Sequence, residues 1–127
     1  MATALSINKY IYNILTNDVQ LSEMVGKKIY PVIAEESVTF PFVIFKRTAI
    51  APIYAKNAPH YDNCSFSVAV VTNTYIQTVE IAERVRTILE CYTGDDLKQV
   101  RLSSVNEEFI DDAYIQELNF ECVIYHS

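Results

Sequence analysis

The sequence predicts an α+β fold: a mostly antiparallel, five-stranded sheet with helices packed on one face, in the order α-α-β-β-β-α-β-β. Three observations predict it. Apolar residues recur at helical spacing in two separated stretches, 3–16 and 74–92. Residues 63–72 and 114–125 instead alternate apolar and polar in the manner of half-buried strands. Most strand connections are short enough for hairpins, which favours antiparallel neighbours and leaves the helices to cover one side.

The first helix carries Leu5, Ile7, Ile11, Ile14 and Leu15, with Thr3 or Ser6 as its N-cap. After a break at 16–18, Asp18 caps a second short helix with Val19, Leu21, Met24 and Val25 on its apolar side. Gly26 stands where a helix needs a left-handed residue to stop. Ile29 to Ala34 reads as a strand that Pro31 confines to an edge or a bend, because proline cannot donate to a ladder. Phe40 to Ala51 is a longer strand whose Phe42-Val43-Ile44-Phe45 run is apolar on both faces. One face should meet helices and the other a further surface, such as a second subunit.

Residues 52–62 form a projecting loop. Asn63 to Thr72 then sets Cys64, Phe66, Val68 and Val70 on one face. Thr74 is placed to cap a helix with Ile76, Val79, Ala82, Val85, Ile88 or Leu89, and Tyr92 on its apolar side, ended by Gly94. Gln99 to Asn106 is a fourth strand with Val100, Leu102 and Ser104 opposite Arg101, Ser103 and Val105. The acidic segment Glu107 to Asp112 reads as a turn. The last strand, Tyr114 to Tyr125, points Leu118, Phe120, Cys122 and Ile124 at the core.

At 127 residues the chain fits one domain, 1–127, and is long enough to bury a core without staples. Its two glycines, Gly26 and Gly94, provide no Gly-rich phosphate cradle. The net charge of −6 repels nucleic-acid phosphates, and the acids gather in 95–121. Nine tyrosines suit half-buried strands and interfaces. Cys64, Cys91 and Cys122 are odd in number and widely spaced, so they read as small core hydrophobes in a reducing compartment. The N-terminus lacks the pattern of a signal peptide, and no apolar run reaches the roughly 20 residues of a membrane span.

Chemistry is scarce. His60 lies in a loop and His126 is penultimate, and both read as exposed. Glu107, Glu108, Asp111 and Asp112 lack the spacing of a calcium loop. The sequence therefore predicts no catalytic, cofactor-binding or metal residues, and a structural or binding role rather than an enzyme. Two other readings follow from the residues. A ligand-binding domain would line a cavity with Tyr30, Phe42, Phe66 and Phe120. An adaptor would bind its partner through the 52–62 tip.

Several segments in order carry a family resemblance: Leu21 to Pro31 (LSEMVGKKIYP), Pro41 to Phe45, Phe66 to Leu89 (FSVAVVTNTYIQTVEIAERVRTIL), and Tyr114, Gln116, Leu118 and Phe120 in the last strand. With these the chain resembles the small tail completion (tail terminator) proteins of siphophages and prophages, related to head–tail joining proteins. The resemblance implies a non-enzymatic protein that closes into a ring, usually sixfold, on the head-proximal end of the tail tube. Its implied partners are further copies of itself, the tail-tube protein and the head connector, with no membrane and no cofactor. DNA would pass through the lumen without specific binding, past the acids at 107–112. The implied location is the host cytoplasm during assembly, then the virion tail. In that setting Pro31 and Pro41 mark a sheet edge completed by the next subunit.

Overall fold

The computed structural model describes residues 4–54, 56 and 60–125. A single 3-10 turn, Ala4–Ser6, leads into α1 (Ile7–Thr16) and α2 (Val19–Val25). Then follow β1 (Ile29–Pro31), β2 (Phe42–Ile53), β3 (Tyr61–Thr72), α3 (Tyr75–Glu90), β4 (Lys98–Ile110) and β5 (Ala113–Tyr125). The class and element order match the expectation.

The five strands form one sheet in the order β1-β2-β3-β5-β4. The sheet is mixed rather than purely antiparallel in habit: β1 runs parallel to β2, while β2–β3, β3–β5 and β4–β5 are antiparallel. The parallel pair arises because residues 32–41 carry the chain back along the sheet edge instead of folding it into a hairpin. Val32 takes a left-handed φ of 66°, which turns the chain out of β1 after only three residues and ends the strand short of Ala34. The Phe40–Pro41 peptide is cis.

The helices gather on one face of the sheet, with α2 packed on α1 and α3. α1 packs on β1 and β2, α3 packs on β3, β4 and β5, and both touch each other. The alternation of β3 and β5 directs Cys64, Phe66, Val68, Val70, Leu118, Phe120, Cys122 and Ile124 into this layer, all buried. Phe66 and Phe120 sit opposite each other and stack, centroids 5.3 Å apart. α1 adds Ile7, Ile11 and Leu15, and Leu97, which periodicity did not single out, closes the core between α3 and β4.

α3 is rotated from its expected face. Its buried residues are Thr78, Ile81, Ala82, Val85 and Leu89, whereas Ile76 is 70% exposed. The helix carries two apolar stripes, and helix–helix contact selects the one containing Ile81. Thr74 stands at the N-cap as expected but makes no side-chain capping bond, and Thr72 Oγ1 donates to the Thr74 carbonyl at 2.6 Å. Ser6 occupies the N-cap of α1, also without a side-chain bond, and Thr3 lies outside the described residues. Cys91 is exposed at the end of α3 and so is not a core residue, whereas Cys64 and Cys122 are buried directly opposite each other. A hydrogen bond with Cys64 and then burial hold the Cys122 thiol far above its ordinary value, so it stays protonated.

Gly26 has φ 65° and ψ −133°, a region open essentially to glycine, which explains its position at the end of α2. Asp18 caps that helix as expected, accepting from Leu21 N at 2.8 Å. The same carboxylate takes a two-pronged grip from Arg84 on α3, at 2.9 Å from Nε and 2.6 Å from Nη2. One side chain thus fixes a helix start and ties the N-terminal helices to α3. The Arg84 guanidinium holds the Asp18 carboxyl below the usual carboxylate range. Because the folded value is depressed, this stabilisation is complete above the unfolded value of about 4 and is lost as pH falls through the folded value. Asp18→Ala should cost about 1 kcal/mol for the cap alone, with the lost pair adding to it. Urea titrations at pH 7 and pH 3 should show the gap between wild type and variant narrowing at the lower pH.

Candidate interaction surfaces

Alternation in the strands leaves one face of the sheet without helices. Register places Phe42, Val71 and Ile115 in one row across it, with Glu108 next in line on β4. Tyr30 and Ile44 adjoin that row, half-buried, and Phe40 stacks on Phe42 with centroids 5.9 Å apart. Farther along, the same face turns polar with Ser65, Ser67, Asn119 and the Arg101–Glu121 pair at 3.2 Å. The two-faced apolar character of 42–45 therefore has a structural meaning: Val43 and Phe45 go to the core, Phe42 and Ile44 to the open face.

The second feature is the β4–β5 hairpin. Residues 107–110 do not turn but continue β4 to Ile110, paired with Ala113. Phe109 and Ile110 favour extended backbone, so the turn shrinks to Asp111-Asp112, at φ 51° and 63°. These angles fit a two-residue hairpin turn of the primed type. From Ser103 to Asp112 every residue is exposed, so the hairpin end projects as an arm that touches α3 only along one side. β4 has register shifts between Lys98 and Arg101 and between Leu102 and Ser104; Arg101 and Leu102 keep their predicted faces, and the second shift reverses those that follow. Val105 joins Leu102 on the helix side, and Ser104 joins Arg101 on the open side.

The four acids expected to act together are therefore divided. Glu107 points to the helix side, where it bonds the Tyr75 hydroxyl and accepts from Gln116 Nε2 at 2.8 Å. These bonds, Tyr75 first, hold its carboxyl below the ordinary value, while Glu107 raises the Tyr75 phenol above its own. Glu108 lies on the open side of β4, and Asp111 and Asp112 form the tip. Tyr75, Tyr114 and Phe109 cluster beside Glu107, with ring centroids 5.8 and 4.7 Å apart. Between α3 and the arm runs a groove of 160 Å³ lined by Val79, Ala82, Val105 and Leu118 and flanked by Glu83 and Arg86.

The cavity expected among Tyr30, Phe42, Phe66 and Phe120 does not form. Phe66 and Phe120 are sealed in the helix-side core, while Tyr30 and Phe42 lie on the opposite face. A cleft of 380 Å³ opens elsewhere, between α1 and the end of α3, but its carboxylate Asp18 is already engaged by Arg84. The projecting loop is shorter than read, because β2 reaches Ile53 and β3 starts at Tyr61. Part of it, with His126, lies outside the described residues. His60 is exposed, edge-on to Tyr54 at 5.2 Å. Among the described residues no group of three His, Cys, Asp or Glu is placed to hold a metal ion, and no helix is long and apolar enough to cross a membrane.

The sequence model of the family described as tail completion protein gp17 matches residues 9–122. The chain belongs to this family. The resemblance carried by residues 21–31, 41–45 and 66–89 is thereby borne out, and the role is a structural one in phage tail completion. A chain in the virion of the native gene transfer agent (GTA) particle has the same fold, with TM-score 0.76 over 91% of this chain and 92% of that one, at 16% identity. No curated protein matches the sequence.

In this tail completion protein the Asp111-Asp112 turn holds two side-chain-bearing residues in left-handed conformations that Asn-Gly adopts with less strain. Asp111→Asn with Asp112→Gly should raise the melting temperature by roughly 2–4 °C in a thermal scan. An unchanged or lowered midpoint would show that the tip angles carry no strain.

Proposed function

We propose that the chain closes into a ring, sixfold when assembled, that caps the head-proximal end of the tail tube and joins it to the head connector. It works without catalysis, first in the host cytoplasm and then in the virion tail. The observation that carries this reading is the family match over residues 9–122 in a chain whose sheet keeps an apolar row, Phe42–Val71–Ile115, on its helix-free face. Phe42 and Ile115 in that row are half-buried and Val71 is buried, while Phe40, Val32 and Ile33 at the adjoining edge are exposed, and apolar surface of this kind marks an interaction site. Light scattering should show self-association that increases when tubes of the tail-tube protein are added. A chain that stays monomeric and leaves assembled tubes uncapped in electron micrographs would defeat the proposal.

The ring leaves a lumen for DNA. The overall charge of −6 and the paired aspartates at the tip of the arm suit a wall along which phosphates slide without sticking. Of the four acids read from the sequence, Asp111 and Asp112 form the tip, Glu107 is turned toward Tyr75, and Glu108 lies on the open side of β4. Asp111→Asn with Asp112→Asn should lower infectivity while leaving tail length and ring formation intact. Full infectivity in that variant would remove the tip from the lumen.

A further inference from the structure

The two edges of the sheet match each other, and we infer that they form the head-to-tail contact between copies of this chain. The inference rests on the ring reading and specifies which surfaces close it. Two rows of the sheet carry the match. The first runs Phe42–Val71–Ile115–Glu108. Lys28 flanks Phe42 at the outer edge, because its carbonyl accepts from Val43 N at 2.9 Å and Ile29 pairs with Val43. The second row, three residues farther along, runs Pro31–Phe45–Val68–Leu118–Val105. One edge thus offers Lys27 and Lys28 at the first level and Val32 and Ile33, 61% and 77% exposed, at the second. The other edge offers Glu108 at the first level and the groove beside Val105, itself 47% exposed, at the second.

Cyclic symmetry makes this correspondence meaningful. Rotation about a ring axis changes neither radius nor height, so in a ring whose axis follows the strands, surfaces at equal levels on the two edges of one copy meet in a heterologous contact. Within a single copy the charges lie four strand spacings apart, about 19 Å, which exceeds a screening length of about 8 Å. Among the described residues neither Lys27 nor Glu108 is in an ion pair. The next copy supplies both partners: a base for each acid and an apolar groove for each apolar loop. The contact is made by side chains rather than by an added strand. β1 is three residues long and ends in Pro31, which has no N–H to donate, and β4 is broken by two register shifts.

The test is a double charge reversal in the full chain. Glu108→Lys alone and Lys27→Glu alone should each weaken self-association on tail tubes by roughly tenfold or more, since each sets like charges face to face. Lys28 Nζ is held by the Thr39 and Phe40 carbonyls in its own copy, so the combined variant restores an opposite-charge pair between positions 27 and 108 and should regain association, with all three variants keeping the wild-type melting temperature. Sedimentation velocity with and without tubes reads the result. Single variants that assemble like wild type, or a folded double variant without rescue, overturn the edge assignment while leaving the ring standing. A wild-type chain that never associates overturns both.

Discussion

β3 is the constraint on which the remaining structure depends. It pairs along its whole length with β2 on one side and β5 on the other, and its even-numbered residues face the helices. Cys64, Phe66, Val68 and Val70 supply the floor on which α1 and α3 are laid. The Phe66–Phe120 stack sits at its centre and fixes the register between β3 and β5, because a one-residue slip of either strand would turn its ring to the helix-free face and break the stack. At that centre a truncation such as Phe to Ala typically costs 3–5 kcal/mol, so the site has little tolerance.

Around this floor, polar contacts decide how the peripheral pieces attach. Asp18 joins the α2 start to α3 through Arg84. Asp62, buried at the end of β3, accepts from Ala4 N at 3.1 Å and draws the first 3-10 turn onto the sheet. Lys28 Nζ donates to the Thr39 and Phe40 carbonyls at 3.1 and 3.3 Å and holds the return segment before β2. Each contact bridges segments distant in sequence and adds to the apolar burial that runs from Ile7 in α1 to Ile124 in β5.

Much of this was legible in the sequence because it follows local rules. Asp18 and Gly26 declared the limits of α2, and the alternation in 63–72 and 114–125 named the core face correctly. What was not legible depended on distant partners. Ile76 and Ile81 are equal candidates for burial until α1 and the sheet choose between them. The faces of β4 cannot be read past Leu102 without its register shift, which exists only relative to β5. Charged residues at 107–108 and 111–112 imitate a loop, although Phe109-Ile110 between them belongs to a strand. The family resemblance rested on scaffold segments, so it predicted role and element order better than the geometry of any surface.

The parallel placement of β1 has the widest consequence. Chain direction alternates across β2, β3, β5 and β4, so β4 runs opposite to β2. Because β1 follows β2, the two outer strands of the sheet are antiparallel to each other. Had residues 32–41 folded β1 into a hairpin with β2, Lys27 and Lys28 would lie at the far end of the sheet from Glu108. They would then face the Ser65–Asn119 end, where the sheet is polar and holds its own Arg101–Glu121 pair. Parallel pairing brings the lysines level with Glu108 and the Val32–Ile33 loop level with Val105. A short strand in an unexpected direction, set by a left-handed Val32 and a return through Pro41, thus determines whether the edges of one copy correspond to those of the next.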